Sequence, residues 1–436
     1  METQFFNKYL IHLWQRNLNG NILILLLLFT VQTLPAQDRL LDTLTLERCI
    51  AIGLQNNPGL QSSQFLVKES KTKIDETHSG YYPMVNLNSN ATTYSNNNGS
   101  QRYENYNTGI SASYNLFNGF KTKASYNGAK ENYDANIFQH ESIKQDLVLN
   151  ITYSYYKTLQ AERILKSAEV SVKNSRLILE FANAKNKAGM ATRSDILKSE
   201  VELSNAELEK IKAANSLLAA KGNLNLLMGL PSNNPTEIVD DLSELEENMV
   251  KTYDIFLNEA LNSRTEVKRF QSLLNAQQNY IQVAKGDYYP ALSANANYNF
   301  AGAEITGIQQ NWWLGMTLTI PIFKGFSTKA RVTGEELSLK GLEKSFESLE
   351  QQIGQEVWNA YLAVKESSER MATTSKGLES ARENLSISEG EYKEGTGSII
   401  QLTDAQTTFV TAEHNYIQSI ADYKISLAEL ERTIGK

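Results

Sequence analysis

The second half of the chain repeats the first. Set against itself at a shift of about 206 positions, the sequence matches from one end to the other, which restricts the fold to two copies of one unit. Gly80-Tyr81-Tyr82-Pro83 returns as Asp287-Tyr288-Tyr289-Pro290. Leu116-Phe117-Asn118-Gly119-Phe120 returns as Ile322-Phe323-Lys324-Gly325-Phe326, Lys187-Ala188-Gly189 as Lys393-Glu394-Gly395, and Leu227-Met228-Gly229 as Thr433-Ile434-Gly435. The shift hardly drifts, so the units share one architecture with few insertions. They occupy residues 37–230 and 251–436, joined by an acidic linker at 231–250.

Each unit reads as short helix, strand, strand, very long helix, turn, long helix. After Tyr82-Pro83, the residues Val85, Leu87, Ser89 and Ala91 alternate with Asn86, Asn88 and Asn90, the period of two of a strand. The pattern recurs at Tyr106–Leu116, at Leu292–Phe300 and at Trp312–Ile322. Strands are therefore expected at about 84–95, 105–117, 291–301 and 311–323. The segments between them, Ser95-Asn96-Asn97-Asn98-Gly99-Ser100 and Gly302-Ala303-Glu304-Ile305-Thr306-Gly307, have turn-and-loop compositions.

Half of a soluble sandwich would also alternate, but three features favour a membrane barrel. Each strand is about ten residues long, one face is almost purely Asn, Ser, Thr and Gly, and Tyr and Trp gather near strand ends. Trp312 and Trp313 at the start of the last strand are read as interfacial anchors. Four strands cannot close a barrel, and an open edge cannot lie in lipid, so other copies of the chain must complete the pore.

The seven prolines leave two long gaps, Met84–Leu230 and Ile322–Lys436. Within them helices are expected at about 119–187 and 325–393, each about 100 Å long, returning at 192–229 and 398–434. Leu197, Val201, Leu208, Ile211 and Leu218 fall at coiled-coil spacing. A simple coiled-coil rod would fit this spacing, but it has no use for four amphipathic strands.

The only strongly apolar run, Asn21–Val31, is too short to span a bilayer as a helix. Lys8 and Arg16 precede it and Leu34-Pro35-Ala36 follows it, so residues 1–36 read as a signal peptide. The single cysteine, Cys49, reads as a small buried residue on a short helix. A net charge of −7 argues against a nucleic-acid partner. His12, His78, His140 and His414 are scattered, and no phosphate-binding glycine loop is present, so neither an enzyme nor a cofactor is expected.

The duplicated halves, the two Tyr-Tyr-Pro steps, Leu116-Phe117-Asn118-Gly119 with Ile322-Phe323-Lys324-Gly325, and Glu391-Tyr392-Lys393-Glu394-Gly395 together resemble the TolC family of outer-membrane efflux channels across essentially the whole mature chain. The resemblance implies an α+β membrane protein: a homotrimer whose twelve-stranded β-barrel, four strands per protomer, continues into an α-helical barrel through the periplasm of a Gram-negative bacterium. It implies docking to a periplasmic adaptor and an inner-membrane transporter. The expected role is a passive exit duct for small molecules, with the outer-membrane part of a type I protein secretion system as the alternative. Neighbouring genes for a resistance-type transporter or for an ATP-driven exporter would separate the two.

The resemblance also implies a gate where the two helical hairpins end. Asp195 stands in the place of a gating carboxylate and Tyr392 in that of its hydrogen-bond partner. Gln401 occupies an acidic constriction position, Asp404 keeps a second one, and Gly397 replaces an arginine. Arg193 lies nearby as a substitute cation. Gly189 and Gly395 read as helix C-caps, and with Met190 and Thr396 they form the tips expected to face the adaptor.

Overall fold

The computed structural model describes residues 43–95, 102–242, 252–303 and 307–436. The expected signal peptide, parts of both strand loops and the stretch 243–251 lie outside these residues. The first half comprises α1 (Leu46–Asn56), α2 (Pro58–His78), β1 (Met84–Ser95), β2 (Arg102–Asn118), α3 (Lys121–Lys187) and α4 (Arg193–Leu227). The second comprises α5 (Tyr253–Ser263), α6 (Thr265–Lys285), β3 (Ala291–Gly302), β4 (Gln309–Thr319), α7 (Ser327–Glu394) and α8 (Ile399–Thr433). Among the described residues no helix is long and apolar enough to cross a membrane.

The four strands form one antiparallel sheet in the order β1-β2-β3-β4, so the two hairpins meet through β2 and β3 and leave β1 and β4 as edges. Directly paired residues share a face, and the register sorts the sheet cleanly. Leu87 pairs with Ile110, Ile110 with Tyr298 and Tyr298 with Trp312; Val85, Ala112, Ala296 and Leu314 form the next row. The opposite face carries Asn88, Gly109, Asn299 and Asn311, and beside them Asn86, Ser111 and Asn297. The apolar face is bare: Leu87 is 72% exposed, and Leu314 and Met316 are each 74% exposed.

The register also corrects one expectation. Trp312 lies in the apolar row, whereas Trp313 pairs with Asn297 on the polar face, since adjacent strand residues point opposite ways. Of the two, only Trp312 lies on the apolar face of the sheet. Two strand ends differ as well. β2 starts at Arg102, opposite Ser95, and β4 stops at Thr319, the partner of the first residue of β3. Beyond it Pro321 has no N–H to offer a ladder.

Strand turns into helix over two left-handed residues in each half: Gly119 (φ 68°) with Phe120 (65°), and Gly325 (57°) with Phe326 (64°). A phenylalanine in this conformation costs about 1–2 kcal/mol. Ring packing offsets part of that cost: Phe120 stands edge-on to Phe117 at 5.1 Å and to Tyr289 at 6.0 Å, and Phe326 to Phe323 at 5.4 Å.

α3 and α7 then run for 67 and 68 residues. Their middles hold the core. Leu147, Ile151, Tyr155 and Leu159 of α3 pack with Cys49 of α1, Leu224 of α4 and Ile420 of α8. Ile353 and Val357 of α7, the repeat counterparts of Leu147 and Ile151, pack with Phe256, Val267, Tyr423 and Leu430. Cys49 is fully buried, and burial pushes its thiol up to about 12. The described part of the linker is pinned to this region. Tyr155 Oη donates to the carbonyl of Val239 at 2.8 Å, and Arg163 grips Asp240 through Nε (3.0 Å) and Nη2 (2.8 Å).

The second half adds a buried ion network. Arg432 of α8 and Arg264, between α5 and α6, are 8% and 6% exposed. Arg432 Nε donates to Asp146 of α3 at 2.8 Å, and its Nη2 donates to Ser142 Oγ at 3.2 Å and to Glu266. Arg264 donates to the same Glu266 at 3.2 Å and to Glu356 of α7. Burial opposes ionisation of Glu266, but hydrogen bonds from Arg264 and Arg432 outweigh it and hold the carboxyl down to about 2.

Candidate gate at the helical hairpin tips

Both hairpin tips are built the same way. α3 ends in a Schellman motif: Met190 N–H donates to the carbonyl of Lys185 (2.8 Å) and Gly189 N–H to that of Asn186 (2.9 Å), with Gly189 at φ 77°. α7 ends likewise, with Thr396 N–H on Glu391 (3.0 Å) and Gly395 at φ 83°. Each return helix opens with a capping box, Thr192 with Asp195 and Ser398 with Gln401. Met190 is 69% exposed, and its Cε would lie 3.9 Å from a Cβ on Gly395, so the two tips stand side by side.

This construction accounts for Asp195 and Gln401. Asp195 Oδ2 accepts from Thr192 N at 2.7 Å, and Gln401 Oε1 accepts from Ser398 N at 2.9 Å. The two residues hold equivalent positions in the repeats, each satisfying helix N-terminal donors. Tyr392 is 5% exposed, packed with Ile178, Leu385, Ile399 and Leu402. Its hydroxyl has no hydrogen-bond partner among the described residues, so the expected Asp195–Tyr392 bond is absent within the protomer. The capping box holds the Asp195 carboxylate at the start of α4 through Oδ2. Burial first, and the nearby charge of Asp195 second, raise the Tyr392 phenol above its ordinary 10.

Gly397 has a steric reason to be glycine. A Cβ there would lie 2.9 Å from Glu391 Cβ and 3.2 Å from the Tyr392 nitrogen, so an arginine would have to displace the end of α7. Arg193 begins α4, exposed and without an ion pair among the described residues. Asp404 is exposed one turn into α8, between the buried Thr403 and Ala405.

The residue that joins the tips is Lys185, which sequence reasoning did not single out. It leaves α3 to place its ammonium 4.3 Å from the centroid of the Tyr392 ring while donating to the carbonyl of Tyr392. This cation–π contact and charge-assisted bond tie the end of the first long helix to the end of the second. The available signal was a charge reversal between repeats, since the counterpart of Lys185 is Glu391.

A family model described as outer membrane efflux protein matches residues 50–230 and again 256–436. Protein CyaE of Bordetella pertussis is 21% identical over 92% of this chain and 86% of its own length. Outer membrane protein TolC of Salmonella enteritidis is 20% identical over 87% of this chain and 79% of its own. Among solved structures, the CmeC outer membrane channel of Campylobacter jejuni superposes with a TM-score of 0.80 at 15% identity, covering 89% of this chain and 85% of that one. The open-state MtrE outer membrane channel of Neisseria gonorrhoeae gives 0.77 at 21% identity, covering 89% and 88%.

Proposed function

Because the chain belongs to the outer membrane efflux protein family, a channel and not an enzyme of the Gram-negative outer membrane, we propose that it is the passive exit duct of a tripartite efflux system. Three copies close the barrel, a periplasmic adaptor meets the tips, and an inner-membrane pump delivers small molecules. The observation that carries this reading is the sheet. Its polar face is mostly Asn, Ser, Thr and Gly, with Trp313 and Met84 among them, its apolar face is bare, and both edges are open. Such a sheet satisfies its backbone in lipid only when other copies pair its edges, and closure turns the polar face toward a wet lumen.

The hairpin tips then form the gate. Asp404 from three copies makes a ring of like charges that favours cations. Lys185 holds the two tips of a protomer together through Tyr392, and Arg193, which has no ion pair among the described residues, is placed to meet a carboxylate of a neighbouring copy. Gly189, Met190, Gly395 and Thr396 present the exposed turns to the adaptor.

Planar-bilayer conductance of the purified mature protein tests this. Wild type gives small, cation-selective steps. Asp404→Ala lowers selectivity by at least about twofold, while Asp195→Ala, which removes a cap as well as a charge, also enlarges the steps. Steps that are large and unselective in wild type and indifferent to both changes would reject the gate. In the same assay Lys185→Ala is expected to raise conductance by at least about twofold, with a smaller rise for Arg193→Ala. An unchanged Lys185→Ala trace would remove that contact from the gate.

A further inference from the structure

Both long helices begin with the charge that a helix N-terminus disfavours. Aligned peptide dipoles place partial positive charge there, so carboxylates are stabilised and cations are not. Neither α3 nor α7 has an acidic residue in its first turn. From Asn118 to Lys130 and from Ile322 to Gly334 the chain carries Lys121, Lys123, Lys130, Lys324, Lys329 and Arg331, with no Asp or Glu.

One carboxylate meets this group. Asp287, four residues before β3 begins, accepts from Lys121 and from Arg331 Nη1 at 2.7 Å, with Lys324 Nζ at 3.8 Å. Three cations against one anion leave that spot with two positive charges uncompensated. The neighbouring carboxylates face other partners: Glu76 pairs with Lys73 at 2.7 Å and Glu336 with Lys285 at 3.4 Å, while Glu131 accepts from Asn275 at 3.2 Å and Glu335 from Gln277 at 2.7 Å.

The cations adjoin the apolar face. Phe117 pairs with Leu292, and Leu292 with Leu318, so Phe117 lies on the lipid side of the sheet. Through Phe120 that side runs on to Tyr289, two residues from Asp287. Ile322, Phe323 and Phe326, flanking Lys324, are 95%, 72% and 73% exposed. Apolar band, aromatic rim and cations thus follow one another in the order of acyl chain, interface and phosphate in one leaflet of a bilayer.

We propose that this basic rim, centred on Lys324 and Arg331 beside Asp287, binds the phosphate of an anionic phospholipid of the periplasmic leaflet, its acyl chains lying against Ile322, Phe323 and Phe326. A cation near an anionic lipid surface strengthens binding several-fold, and the effect compounds with each one. The rim fixes the depth of the barrel at the point where strand becomes helix. The bound phosphate supplies the negative counter-charge that the two helix starts lack.

Native mass spectrometry of the intact purified protein in detergent, titrated with phosphatidylglycerol or phosphatidylcholine, tests the proposal. Wild type should retain phosphatidylglycerol about tenfold more strongly than phosphatidylcholine, and Lys324→Gln/Arg331→Gln should lose about that factor. A second variant, Lys123→Gln/Lys329→Gln, leaves every contact of Asp287 in place and should lose about threefold without disturbing the fold. Lys340→Gln/Lys365→Gln, farther along α7, makes the same charge change and should behave as wild type. Equal retention of the two lipids by wild type, full retention by both rim variants, or an equal loss in the distant control would each overturn the proposal. Displacement of phosphatidylglycerol by inorganic phosphate at equal concentration would make the rim a free-anion site and overturn it as well.

Discussion

Glu266→Ala is expected to destabilise the protein by about 3–5 kcal/mol, the usual cost of removing one partner from a buried ion network. The carboxylate serves both Arg264 and Arg432, and its loss leaves two guanidiniums, 6% and 8% exposed, without their shared counter-ion. The same group sets an acid limit. Its folded value of about 2 lies below the ordinary 4.5, so the ionised form is favoured by folding. The contribution is fully present above pH 4.5 and is lost as the pH falls toward 2, a loss of roughly 3 kcal/mol. Thermal melting of the detergent-solubilised trimer between pH 7 and 3 reads both effects. Wild type should lose stability as the pH drops through this window, and Glu266→Ala should start lower and fall less. A variant that melts with wild type at neutral pH would show that the network contributes nothing.

The second large effect is expected at Gly119. A Cβ added there would lie 2.3 Å from the carbonyl oxygen of Gly286, a backbone atom of the other half, and the residue sits at φ 68°. Backbone strain and overpacking together predict a cost of about 3 kcal/mol or more for Gly119→Ala. The duplication supplies its own control. Gly325 holds the equivalent position at φ 57°, but no atom lies within 4 Å of its added Cβ. Gly325→Ala should therefore cost only the left-handed conformation, about 1–2 kcal/mol. Equal loss of folded trimer from the two variants would refute the claim that close approach between the halves makes Gly119 obligatory.

What the sequence made legible was periodic. Alternation at Val85–Ala91 and Trp312–Ile322 depends only on the pleat, and the proline-free stretches depend only on the absence of a breaker, so strands and long helices could be placed from one dimension. Strand ends were less accessible because they depend on a partner: β4 ends where β3 begins, not where its own alternation ends. Trp312 and Trp313 needed the register to be separated. At the tips, Thr192 with Asp195 and Ser398 with Gln401 carry a capping signature in plain view, and reading Asp195 and Gln401 only as gate positions overlooked the local work they do. Lys185 and the Arg264–Glu266–Arg432 network belong to another kind. Arg432 meets Asp146 across 286 positions, and such contacts exist only once the helices have crossed.

The two open edges of the sheet have a genetic consequence. A copy whose β4 edge is spoiled, by a proline for example, still offers a sound β1 and so can still enter a trimer. Such a trimer has one seam that cannot be hydrogen-bonded, and the ring fails as a whole. Where altered and normal copies are made in equal amounts, about one trimer in eight contains only normal copies. Edge-strand mutations are therefore expected to be dominant where both forms are expressed in one cell, whereas mutations that unfold the protomer before it assembles are expected to be recessive.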